Sequence, residues 1–179
     1  VNVILKARDA GGPFKDLFDF CQRCDKRMVN RRTIEALIKA GAFDSIAPST
    51  GSGQADRHKL LASTGIAMDF AEQAERNAMQ TSLFDIGDVA DEHAPEYVNV
   101  RPWDEKTQLM EEKTALGFFF SGHPYNTCKK ELSRFVRRPL NRLEPSKELT
   151  TLAGVVVGVR TQMTRRGKML FVQLDDGTG

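Results

Sequence analysis

Residues that could carry reaction chemistry are few in this chain, and their spacing argues against it. Cys21-Gln22-Arg23-Cys24 has the C-x-x-C spacing of a zinc or redox pair. A zinc site needs two more ligands, yet Cys128, His58, His93 and His123 are scattered singly. A redox pair needs a βα setting with the first cysteine opening a helix, whereas both cysteines here belong to an apolar helical stripe. Packing is the expected role. His123 has no nucleophile or carboxylate at a useful distance along the chain, which makes it a turn or packing residue. Asp85, Asp88, Asp91, Glu92 and Glu96 are acidic but lack the alternating ligands and fixed glycine of a cation loop. No catalytic residue, metal site or cofactor is expected within the chain.

Recognition chemistry is better represented. Gln80-Thr81-Ser82-Leu83-Phe84 sets a side chain that hydrogen-bonds both ways three residues before two apolar plugs. Gln80, Leu83 and Phe84 suit a docking peptide that orders in a partner's groove; packing beneath the preceding helix is the alternative. Lys26, Arg27, Asn30, Arg31 and Arg32 gather at a helix start. Two arginines in a first turn oppose the macrodipole, and a phosphate on the free amides would reverse that sign. Otherwise these side chains swing into water. Arg165, Arg166 and Lys168 form a second basic group in a tight turn.

The elements around these residues are legible from period and caps. The first residues, to Arg8, continue a helix that Gly11-Gly12-Pro13 breaks, with Pro13 suited to open the next one. There Phe14, Leu17, Phe18, Cys21 and Cys24 form the apolar stripe, while Lys15, Asp19, Gln22, Arg23 and Lys26 fall opposite. Asn30 caps a helix bearing Ile34, Leu37 and Ile38, and Gly41 stops it, with Ala42 and Phe43 sealing the end. A Ser/Gly/Pro linker at 48–53 leads to one long helix from Ala55 to Met79 with Leu60, Leu61, Thr64, Met68, Ala71, Ala74 and Ala78 along one side. Residues 85–97 are acidic and weakly patterned, a connecting segment. Asp104 caps a further helix. From Leu149 the period becomes two: Val155, Val157 and Val159 alternate with Val156, Gly158 and Arg160, with bends expected at Gly154 and Gly158. A basic hairpin turn and a returning strand, Met169 to Leu174, follow.

With 179 residues, 40% hydrophobic and 28% charged, the chain has the composition of one domain or two small ones. No apolar run is long enough to cross a bilayer and no secretion leader is visible, so no membrane partner is expected. Three cysteines cannot all pair, which fits a reducing cytoplasm. The net charge of +2 is segregated into a basic first part to Ala47, an acidic middle to Glu112 and a basic remainder. That order lets both ends face a polyanion.

The stretch Gly11-Gly12-Pro13-Phe14-Lys15-Asp16-Leu17-Phe18-Asp19-Phe20-Cys21, then Asn30-Arg31-Arg32 and Glu35-Ala36-Leu37-Ile38-Lys39-Ala40-Gly41-Ala42-Phe43-Asp44, resembles the tandem helix-hairpin-helix region of the bacterial DNA polymerase III alpha subunit, a C-family replicative polymerase. Gln80, Leu83 and Phe84 match that family's clamp-binding peptide, and Gly117-Phe118 with Ser121-Gly122-His123-Pro124 matches the segment before its OB domain. The turn from Asp25 to Val29 lacks the glycines usual in DNA-touching hairpins, a departure that fits a structural hairpin as well as a binding one.

The resemblance implies a mainly α chain with a C-terminal β part. Its segments would be a helix-hairpin-helix DNA-binding region (1–47), a linker and long helix (48–79), the clamp peptide (80–84), an acidic linker (85–101), a helical connector (102–145) and an OB-fold start with two of its strands (146–179). Implied partners are duplex DNA and single-stranded template, the sliding clamp and other replicase subunits. The parent would be a DNA-directed DNA polymerase whose Mg2+-dependent chemistry belongs to a palm domain elsewhere. A stand-alone nucleic-acid-binding adaptor is the alternative of another class, and a helical scaffold without a DNA role the third.

Overall fold

A computed structural model of the chain describes residues 1–47, 56–84, 95–165 and 167–178, with residues 80–84 described in backbone only. Helices dominate, and an antiparallel strand pair lies at the C-terminal side, as expected. The chain packs as two compact units, Val1–Phe118 and Phe119–Gly179. The segment 102–145, expected as one connector, is therefore shared between them.

In the first unit α1 (Asn2–Gly11) ends at Gly12, whose φ of 75° breaks the helix. Pro13 does not open the next element, contrary to the sequence expectation. Helix α2 (Leu17–Arg23) starts at Asp16, whose carboxylate accepts from the Asp19 amide at 2.8 Å. Asp19 in turn accepts from the Lys15 amide at 3.0 Å. Two carboxylates thus satisfy amides at this helix start, whereas a proline ring only pre-sets φ. Leu17, Phe18, Cys21 and Cys24 are buried as the stripe predicts, and Phe20 joins them.

Helix α3 (Arg31–Lys39) is capped by Asn30, whose Oδ1 accepts from the Thr33 amide at 2.9 Å. It ends in a Schellman motif: the Ala42 amide donates to Leu37 O at 2.9 Å and the Gly41 amide to Ile38 O at 3.0 Å, with Gly41 at φ 83°. Phe43, just beyond, is 3% exposed and packs edge-on to Phe20 at 4.9 Å.

Helix α4 (Arg57–Phe84) is the long helix, and it continues five residues past the expected end at Met79. No glycine or proline interrupts Gln80 to Phe84, so the backbone has no local reason to stop. Leu60, Ser63, Thr64, Ala67 and Ala71 are buried along it, mostly small residues that let α2 and α3 approach closely. Beyond Ala71 the side chains are exposed or half-buried as far as Met79. Tyr97, placed by the sequence at the end of the acidic connection, is half-buried and packs against the core. Its ring lies 5.1 Å from that of Phe18, its hydroxyl accepts from the Leu17 amide at 3.3 Å, and Ser63 Oγ accepts from the Val98 amide at 2.8 Å. Burial of that aromatic ring overrides the acidic composition around it.

Helix α5 (Glu105–Leu116), capped by Asp104 through the Thr107 amide at 2.9 Å, packs on α3. Arg57 joins the three elements. Its guanidinium holds Asp44 bidentately at 2.7 and 2.5 Å, donates to Lys39 O at 3.2 Å and meets Glu112 Oε1 at 3.3 Å.

The second unit holds α6 (Tyr125–Leu132), a short 3-10 turn (Leu140–Arg142) and the hairpin of β1 (Val155–Thr164) and β2 (Gly167–Asp175). The register slips between Val156 and Gly158, leaving Val157 as the extra residue of a bulge. This irregularity falls beside Gly158, one of the two expected bend points, and the insertion changes the parity of the strand. Val159 therefore shares a face with Val156 rather than with Val155 and Val157.

Candidate nucleic-acid interface

The basic turn between α2 and α3 is built by its own backbone. Met28 and Val29 amides donate to Asp25 O at 3.0 and 2.9 Å, the Arg27 amide donates to Asp25 Oδ1 at 2.9 Å, and Val29 is buried beneath. Asn30 then spends its side-chain oxygen on Thr33. The amides of Arg31 and Arg32, the first two of α3, have no carbonyl one helical turn back to bond. Lys26, Arg27, Asn30, Arg31 and Arg32 are thus brought together around one helix start, as the sequence anticipates. The turn achieves this without glycine.

The cations are not equivalent. Arg31 Nε donates to Glu35 at 2.7 Å and Lys26 Nζ pairs with Glu75 of α4 at 3.3 Å. Arg27 and Arg32 are exposed and make no ion pair among the described residues. Arg23, assigned by periodicity to the water-facing side, is instead engaged. It donates to Ala7 O at 2.6 Å, Gly12 O at 2.7 Å and Asp19 at 2.9 Å, and lies 4.5 Å over the Phe14 ring. The cause is the unsatisfied carbonyls at the end of α1. An open groove beside the turn is bounded by Gln22, Asp25, Lys26 and Arg27 on one side and by Ala71, Glu72 and Glu75 on the other. Glu35 could have been found from its i, i+4 spacing to Arg31. Glu75 lies 49 residues from Lys26, and no local pattern signals it.

Arg165 and Lys168 form a second exposed pair at the hairpin tip, where Thr164 Oγ1 donates to Gly167 O at 2.9 Å and Gly167 adopts φ 115°. On the ribbon behind it, Arg160 sits over the Phe171 ring at 5.1 Å. Arg166 and the side chains of Gln80, Leu83 and Phe84 lie outside what the structure describes, as do residues 85–94 with His93.

Cys21 and Cys24 are 4% and 5% exposed. Burial, reinforced by the neighbouring Cys24, pushes the Cys21 thiol up to about 12, and burial also raises Cys24. Both stay protonated thiols, poor ligands and poor nucleophiles. His123 serves as a tie within its unit. Its Nδ1 accepts from the Tyr125 amide at 3.2 Å, its ring stands edge-on to Phe119 at 4.9 Å, and Nε2 faces Asp175 Oδ1 at 3.3 Å.

A family model described as a helix-hairpin-helix motif matches residues 1–52. Among curated proteins, the chain is 44% identical over 179 residues to the DNA polymerase III subunit alpha of Neisseria meningitidis serogroup B, all of this chain and 15% of that protein. It is 38% identical over 192 residues to the protein of that name from Pseudomonas aeruginosa, all of this chain and 16% of the relative. With that from Escherichia coli K12 the identity is 35% over 186 residues, again all of this chain and 15% of the relative. The chain spans about 15% of the length of the curated relatives it matches.

Proposed function

We propose that this chain, which belongs to the DNA polymerase III alpha subunit family, is the part of a replicative DNA polymerase that holds duplex DNA by its backbone and tethers the enzyme to a sliding clamp. The observation that carries the DNA half is the turn from Lys26 to Arg32. Four cations surround a helix start with amides to spare, two of them free of any ion pair among the described residues. Phosphate oxygens are what such a surface accepts, and they confer no sequence preference.

Gln80, Leu83 and Phe84 are the proposed clamp anchors, placed at the end of the helix that packs on the hairpin. A clamp encircling the duplex would convert each rebinding into an intramolecular event, which is the basis of processivity. The β1–β2 ribbon is read as the opening of an OB-fold, with Arg165, Arg166 and Lys168 reaching toward single-stranded template. Nucleotide addition and its Mg2+ are assigned to the palm domain of the parent polymerase, with the other replicase subunits as its partners in the cytoplasm. No helix among the described residues is long and apolar enough to cross a membrane.

Duplex affinity measured against ionic strength tests the DNA half. Each neutralised phosphate adds about 0.9 to the slope of log K against log salt. A flat titration would count against phosphate binding and favour a helical scaffold.

A further inference from the structure

Lys26 is not a loose surface cation. Its stem helps line a small cavity with Phe20, Cys24, Val29, Ile34 and Met68, and its side chain is 28% exposed. The ammonium is therefore delivered to a fixed place at the mouth of the groove, where Glu75 of α4 meets it at 3.3 Å. Glu75 is 62% exposed and lies past Ala71, the last buried residue of α4 among those described. Packing does not require a carboxylate there. Among the described residues, Lys26–Glu75 is also the one ion pair that joins this outer part of α4 to the rest of the unit.

We propose that Glu75 occupies Lys26 in the place of a DNA phosphate, an autoinhibitory contact that duplex binding must displace. The inference rests on the DNA-binding reading above and adds its regulation. A carboxylate and a phosphate offer the same chemistry to an ammonium, anionic oxygen at hydrogen-bond distance, so they compete for it. Arg27 and Arg32 meet the backbone first, and Lys26 joins only when the local phosphate outcompetes Glu75. Linkage makes the effect reciprocal: DNA on Lys26 frees Glu75, and with it the outer half of α4 that runs on to Gln80.

The test is duplex binding by the full 179-residue chain, read by fluorescence anisotropy at one salt concentration, for the wild type, Glu75→Gln, Lys26→Ala and the double variant. An exposed pair contributes roughly 0.2–1 kcal/mol, so Glu75→Gln is expected to tighten binding about 1.4- to fivefold. Lys26→Ala weakens binding, and Glu75→Gln adds nothing in its presence. Two results overturn the inference: unchanged affinity of Glu75→Gln, or an equal gain with and without Lys26, which would mean only general relief of repulsion. Failure of the wild type to bind duplex at all would instead remove the DNA reading beneath it.

Discussion

Arg57 meets Glu112 at 3.3 Å in a place where the glutamate side chain has no exposure to water. The same guanidinium grips Asp44 beside the αL glycine that ends α3, so one side chain fixes the end of α3, the start of α4 and the flank of α5. Hydrogen bonding to Asp44 outweighs burial and holds Arg57 still more firmly protonated. Arg57→Ala is expected to cost about 3–5 kcal/mol, because it removes one member of a buried ion pair along with the bidentate partner of Asp44. Arg57→Met with Glu112→Leu should recover much of that. Denaturant midpoints of the two variants decide it, and equal losses in both would show that the charge pairing is not what matters.

Leu83→Ala with Phe84→Ala is expected to abolish retention by a sliding clamp while far-UV circular dichroism stays at the wild-type level. Apolar anchors of this kind dominate the energy of short docking segments. Retention by the doubly substituted chain would refute the tether.

Arg27→Ala with Arg32→Ala should weaken duplex binding more than Arg31→Ala does, since Glu35 already engages Arg31. The salt slope should fall by about 0.9 for each phosphate that is no longer neutralised, with no change in preference among duplex sequences. A larger effect from Arg31 alone would mean that its ion pair opens on the DNA.

His58 is 7% exposed, and burial holds its imidazole below the ordinary 6.5, with Asp56 pulling it up and Lys59 pushing it down. The unfolded chain then binds the proton more readily than the folded one. The stability tied to neutral His58 is complete above pH 6.5 and is lost as pH falls through the lower folded value. Melting curves at about pH 7.5 and about pH 5.5, on either side of the ordinary imidazole range, should show a drop that His58→Gln reduces. An identical drop in the variant would assign the effect elsewhere.

Local chemistry made the caps readable. Asn30, Asp104 and Gly41 act within four residues of themselves, and each occupies the role its type suggests. Pro13 misled because Asp16 and Asp19 compete for the same boundary and satisfy amides there. Arg23 and Tyr97 misled for another reason: periodicity and composition see a residue's neighbours in sequence, while the α1 carbonyls and the Phe18 ring that claim them are distant. The basic turn was legible as a cluster. Which of its cations are free was not, because Glu75 arrives from a helix far along the chain.

The extra residue at Val157 has a further effect on the ribbon. Counting through the register, Val156, Val159, Thr161 and Met163 stand with Leu174, Val172, Leu170 and Lys168 on one side, while Val155, Gly158, Arg160 and Gln162 stand with Asp175, Gln173, Phe171 and Met169 on the other. A single insertion has sorted a mixed sequence into a greasy surface and a more wettable one. Val159, Met163 and Leu170 are all more than half exposed. Two strands alone are marginal in water, so the ribbon's persistence depends on whatever is laid across its oily side, and any preparation that leaves that side bare should grow stickier with concentration.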